Sequence, residues 1–140
     1  MAGLDARRQG FHLRQQRPQH LTQSFALAVE AGSQPDAAQA LGSLAAVHEH
    51  LGDHEAADEH ARKALELLEG RDDFLDEIGQ SNLVLGRSLL ERGRLDEAEP
   101  LLKRALDAGR KALGAEHPQV VGATIQLAEL HGLRGKVAEA

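Results

Sequence analysis

Cysteine, tryptophan and tyrosine are all missing from this chain of 140 residues, which has three phenylalanines and one methionine. Without cysteine there are no disulfides, no thiolate nucleophiles and no cysteine-bound zinc or iron–sulfur centres. The missing rings take away the large flat side chains that usually dominate a small mixed core. No apolar run nears the ~18 residues that would span a bilayer. The N-terminus lacks the apolar segment of a secretion signal. A cytoplasmic location with no membrane partner is therefore expected. Also absent are a P-loop, a G-x-G-x-x-G fingerprint and any Ser/His/Asp arrangement with a recognisable elbow. The reading is of a protein that is not an enzyme, with no catalytic residue and no cofactor.

The 41% of apolar residues is mostly Ala, Leu and Val. Ala and Leu are strong helix formers, and small faces let helices approach closely. The fold class expected is all-α. Formal net charge is −6. Arg7, Arg8, Arg14 and Arg17 against Asp5 give residues 1–20 a charge of +3, so the remainder carries −9. An acidic body argues against a nucleic-acid partner. The basic stretch 1–17 reads as a degenerate helix or a disordered segment, since it has few apolar anchors.

The chain repeats itself. "LAAVHEHLGDHEAADEHARKAL" (residues 44–65) aligns with "LGRSLLERGRLDEAEPLLKRAL" (85–106), and then with "LAELHGLRGKVAEA" (127–140). Leu44, Leu85 and Leu127 correspond, as do Ala45, Gly86 and Ala128; Gly52, Gly93 and Gly135; and Ala57, Ala98 and Ala140. The offsets are 41 and 42 residues throughout. Each unit reads as two helices with apolar residues at helical spacing, joined at the glycine. Neither helix buries its stripe alone, so the hairpins must stack. The boundaries expected are a partial unit 18–35, a unit 36–73, a unit 74–117 and an incomplete unit 118–140. In the last of these Gly135 is expected to turn the chain into the start of a second helix. Gln34–Asp36 reads as a loop. Pro100 falls one turn into a helix, where it removes at most one backbone bond. Its ring is expected either to pack at the hairpin joint or to be a tolerated kink.

These residues resemble the tetratricopeptide repeat, usually 34 residues long. The surplus of about two helical turns, with "EAEPLLKRAL" and "LGAEHPQV", is similar to the long repeat of kinesin-light-chain type. HEAT or armadillo units of ~40–47 residues fit the length but lack the fixed glycine turn and the ladder of small residues. The resemblance implies a right-handed superhelical solenoid of antiparallel helix hairpins. It also implies a concave groove lined by the first helix of each unit. Carried over by register, the groove positions are Gln39, Ser43, Ala46, Glu49 and His50 in one unit. The next contributes Gln80, Leu83, Val84, Arg87, Leu90 and Glu91, and the third Ile125, Gln126 and Glu129. Kinesin-light-chain-type repeats often carry two Asn where this chain has Gly42–Ser43, Leu83–Val84 and Ile125–Gln126. The Lys/Asn/Arg set that clamps a C-terminal carboxylate in chaperone-binding members is also missing. Leu83, Val84, Leu90 and Ile125 read either as an apolar patch in the groove or as packing between units. Arg87 reads either as an anchor for a ligand or as the partner of Glu91 at i,i+4. Arg87→Glu is expected to leave folding nearly intact under both readings.

"HEHLGDHEAADEH" gathers His48, His50, His54 and His60 with several acids. It lacks H-E-x-x-H, and Gly52 separates His50 from His54, so no metal site is expected. His48 and His131 fall where the repeat usually has a large aromatic residue, and His54 falls at a packing position in the turn. In "DDFLDE", Asp72 or Asp73 is expected to cap the next helix. The functional expectation is a protein-interaction scaffold that binds a peptide or partner helix in the groove. The alternatives are a structural or self-assembly role, with exposed ends stacking into a homodimer, and a regulatory segment of a larger bacterial signalling protein.

Overall fold

The computed structural model describes residues 18–139, and the basic segment 1–17 lies outside them. Six α-helices follow one another: α1 Pro18–Glu30, α2 Gln34–His50, α3 His54–Leu68, α4 Leu75–Glu91, α5 Leu95–Leu113 and α6 Pro118–Glu139. A 3-10 turn, Asp72–Phe74, leads into α4. No strand occurs among the described residues. The chain is an all-α solenoid in which consecutive helices pack against one another.

The turns repeat as closely as the sequence does. After α2, the Gly52 amide donates to the Glu49 carbonyl and the Asp53 amide to that of His48. After α4, Gly93 donates to Leu90 and Arg94 to Leu89. After α1, Gly32 donates to Val29 and Ser33 to Ala28. This double reach back satisfies carbonyls left open at a helix C-terminus, and its pivot residue is left-handed. Gly52 and Gly93 have φ of 82° and 78°, which side-chain-bearing residues rarely adopt. The next helix starts at once. Ser33 caps α2 by accepting from the Asp36 amide, and Asp53 caps α3 by accepting from that of Ala56. Gln34–Asp36 is therefore the first turn of α2 rather than a loop.

Small residues set the hairpin spacing. Ala45 on α2 faces Ala57 and Ala61 on α3, and all three are fully buried. In the next hairpin Gly86 on α4 lies against Leu102 on α5. A Cβ built on Gly86 would sit 2.6 Å from Leu102 Cδ2 and 3.3 Å from its backbone nitrogen. Leu102 is itself fully buried, beside Ala98 and Ala105.

Other readings are changed or decided by the structure. Gly135 makes no turn: α6 runs on to Glu139, and Gly135 is not among the glycines of positive φ. The backbone through Gly135 stays in the helix and keeps its helical hydrogen bonds instead of breaking them at a turn. Neither Asp72 nor Asp73 caps α4, whose N-cap is Phe74 with no side-chain hydrogen bond. Both acids fall within the 3-10 turn that precedes the helix, and the Arg71 guanidinium lies over the Phe74 ring at 5.3 Å. The Pro100 ring is exposed rather than packed at the joint. On α1, Leu21 and Ala28 are buried, while Val29 is 57% exposed.

Candidate functional site

The two rows of helices differ. Among the first helices, α2 contacts α4 and α4 contacts α6, whereas no comparable contact joins α3 to α5. A stack whose first helices touch while its second helices splay is concave on the first-helix side. That side is the one to which the groove positions were assigned.

Several of the assigned residues are core. Leu83 is 7% exposed and packs with Ala123 and Leu127 of α6. Val84 lies among Ala45, Ala57 and Ala61, and Leu90 packs in the cluster around Leu102. These three hold one unit to the next, the packing reading of the apolar patch. A period near 3.6 places apolar residues on a helix face but does not say which neighbour covers them. Ile125 differs, being 57% exposed.

The polar positions are more open. Gln39, His50, Glu91 and Glu129 are exposed, and Ser43, Ala46, Gln80 and Gln126 are half-buried. Glu91 turns to the other side of α4, where His54 Nε2 lies 3.4 Å from its carboxylate. Arg87 consequently has a different partner from the one expected. Its Nη1 is 2.5 Å from Glu49 Oε1 on the preceding unit. The Glu49 side chain is only 13% exposed. Arg87 also lies beside Gly122 of α6, whose absent Cβ would sit 3.8 Å from Nη2. A single side chain thus spans α2, α4 and α6, with its charge compensated within the fold. Sequence spacing finds i,i+4 pairs on one helix and is blind to pairs 38 residues apart.

A cavity of about 540 Å³ opens between α1, α2 and α4. Its walls include Ser43, Ala46, His50 and Gln80. It also has three apolar walls that were not assigned: Leu21, Val47 and Leu51. Leu51 follows Val47 by four residues and Leu44 by seven, so its apolar spacing was a readable signal just past the helix end.

The histidines are structural in placement. His48 and His60 stack face to face inside the first hairpin, with ring centroids 5.2 Å apart. Burial, then the neighbouring His48, hold the His60 imidazole below its ordinary pKa. His131 is exposed and packs at no such position. Among the described residues no group of three or more His, Asp or Glu is placed to hold a metal ion. The far end of the stack is tied by Arg134 of α6, which reaches Glu99 and Asp96 of α5. Hydrogen bonds from Lys103 and Arg134 hold the Glu99 carboxyl below the usual carboxylate range.

Two models of the tetratricopeptide repeat match this sequence, over residues 37–69 and 77–140, together more than two thirds of the chain. The chain belongs to the tetratricopeptide-repeat family. It is 36% identical over 92 residues to Protein KINESIN LIGHT CHAIN-RELATED 3 of Arabidopsis thaliana. That alignment covers 66% of this chain and 14% of the plant protein. The long repeat of this tetratricopeptide-repeat protein is thus of the kinesin-light-chain-like type, as its period and its "EAEPLLKRAL" segment implied. Among the described residues no helix is long and apolar enough to cross a membrane.

Proposed function

We propose that this tetratricopeptide-repeat chain is a protein-interaction scaffold that takes a peptide or a partner helix on the face lined by α2, α4 and α6. The observation that carries this reading is the contrast along that face. Leu83, Val84 and Leu90 lock the units together, yet Ser43 and Gln80 stay half-buried beside an open cavity. Membership of a repeat family of interaction modules supports the same reading.

A photoreactive benzoylphenylalanine tests the face directly. Placed at Gln39 or Glu129, it should cross-link a partner in source cells. Placed at the exposed Arg104 on α5, it should not. Cross-links from Arg104 alone would move the function to the outer row.

Self-assembly is a second reading, supported by exposed apolar side chains at both ends of the stack. Leu27 and Val29 on α1 are 65% and 57% exposed, and Val121 and Ile125 on α6 are 45% and 57% exposed. Contiguous exposed apolar surface marks interfaces. Light scattering on the purified chain should then give a mass that rises with concentration. A constant monomer mass would remove this reading.

A further inference from the structure

We propose that a cavity on the outer row, between α3, α4 and α5, binds a small aromatic amine: a flat apolar ring with one N–H donor and an ammonium on a short arm. The cavity lies apart from the face lined by the first helices, and its ligand is independent of the function proposed for that face.

The cavity exists because the second helices do not meet. α3 and α5 make no contact comparable to those that join α2 to α4 and α4 to α6. The gap between them, floored by α4, holds about 340 Å³. That is near the lower end of the ~300–1,000 Å³ typical of ligand pockets, so it suits a compact ligand rather than a peptide. Leu65 and Leu68 of α3, Ile78 of α4 and Leu101 of α5 give it apolar walls.

One buried polar side chain belongs to the same wall. Asn82 is 2% exposed, and its Nδ2 donates to the Ile78 carbonyl at 2.9 Å. A carbonyl only accepts, so this bond fixes which way round the amide sits. The other amide atom, Oδ1, is buried and accepts no hydrogen bond in the protein. Most buried acceptors are paired, and one left open is destabilising. A ligand donor would supply the missing bond. Because Oδ1 is closed to water, that donor must arrive on a body that presses part of the apolar wall aside. Leu65, Ile78 and Leu101 are only half-buried and have other rotamers to adopt. An indole-type N–H meets both demands. It is a donor only, carried on a flat apolar ring, whereas a hydroxyl or amide brings lone pairs that need donors of their own.

The mouth of the cavity sets the arm. Glu66 lies in the last turn of α3 and Glu69 is its C-cap, and both are exposed. Open carbonyls at a helix C-terminus add partial negative charge there. Arg104 of α5 stands on the opposite wall. Two carboxylates and a helix end against one guanidinium favour an ammonium over a carboxylate on the ligand.

The chain has neither Trp nor Tyr, so in a titration all indole fluorescence comes from the ligand. Tryptamine titrated with the whole chain should show rising anisotropy and blue-shifted emission, with a Kd of about 0.5 mM or tighter. Indole-3-propionate, with a carboxylate on the arm, should bind at least about fivefold more weakly. The benzothiophene analogue of tryptamine, in which sulfur replaces the ring N–H, should compete about tenfold less well. In Asn82→Leu, which removes the acceptor and keeps an apolar wall, the two amines should bind within about twofold of each other. Glu69→Lys alters an exposed side chain, and circular dichroism checks that the fold is kept. It should weaken tryptamine by about threefold or more. Glu129→Lys, on the first-helix face, should leave the affinity within about twofold. The site would be overturned by the absence of a binding curve at about 2 mM chain. Equal competition by the benzothiophene amine, or binding lost on Glu129→Lys and untouched by Glu69→Lys, would overturn it as well. None of these results bears on a peptide taken at the first-helix face.

Discussion

Replacing Gly86 by alanine tests how closely the second hairpin is packed. In an isolated helix this change is favourable by ~0.8–1 kcal/mol, because alanine loses less backbone entropy. Sequence reasoning alone would therefore expect a neutral or stabilised protein. The structure reverses that sign. The new methyl would lie 2.6 Å from Leu102 Cδ2 and 2.7 Å from Cγ, distances that real Cβ atoms essentially never show. Leu102 is fully buried, so its side chain has nowhere to go, and its backbone nitrogen stands 3.3 Å behind. Overpacking of this kind costs ~1–3 kcal/mol. Net of the propensity gain, the loss should be ~0–2 kcal/mol. Gly132 is the internal control. It lies within α6 and a Cβ there would meet nothing within 4 Å. Gly132→Ala should gain ~0.5–1 kcal/mol. The difference between the two variants, ~1–3 kcal/mol, isolates the steric cost. Urea denaturation followed at 222 nm resolves it, since m-values for small proteins are ~1–3 kcal/mol/M. If Gly86→Ala gains stability as Gly132→Ala does, α4 and α5 are not in the contact described.

Arg87→Glu should destabilise by ~1–3 kcal/mol, because it sets a carboxylate against the mostly buried Glu49; Arg87→Gln should cost less. This departs from the sequence-based expectation of intact folding, and equal melting of both variants and the parent would contradict it. Arg92→Ala should cost ~1–3 kcal/mol by leaving Asp58, with a side chain 5% exposed, without the guanidinium 2.8 Å away. Asp58→Asn in the same background should recover part of that loss, and failure to do so would mean that the pair is not the cause. Because the His60 pKa is lowered in the folded state, the unfolded chain takes up the proton first as pH falls. The contribution of His60 is thus complete above pH 6.5 and is lost as pH falls below it. His60→Phe should flatten the urea midpoint between about pH 7.5 and 5.5, and an unchanged slope would refute this. Arg134→Ala should speed amide exchange in the last turns of α6 without affecting α2, because it removes the tie to Asp96 and Glu99.

The solenoid was legible because its signals are local and repeated. Gly52 and Gly93 stand at one offset, and each ends a helix with the same pair of backbone bonds. Ala45, Ala57 and Ala98 mark close faces by their size alone. The interaction face was legible only by register. Leu83, Val84 and Leu90 have the same spacing whether a ligand or a neighbouring helix covers them, and the structure packs Leu83 with the following unit, Val84 with the preceding one and Leu90 in the cluster around Leu102. The Arg87–Glu49 pair and the cavity walls from Leu21 to Gln80 join residues far apart in sequence. Gly135 was misread because a repeat alignment carries the glycine to the turn position, whereas glycine is also tolerated inside a helix and the backbone there stays helical.

The ligand face can be mapped by nuclear magnetic resonance, titrating the isotope-labelled chain with a peptide selected against it. Amide shift changes should concentrate on one side of the stack. They should peak around Ser43, His50 and Gln80 and extend along α4 towards α6. The exposed faces of α3 and α5, at Arg62, Lys103 and Arg104, should stay still. Shift changes confined to that outer row, or to the exposed ends at Leu27 and Val121, would contradict a ligand face built from the first helices.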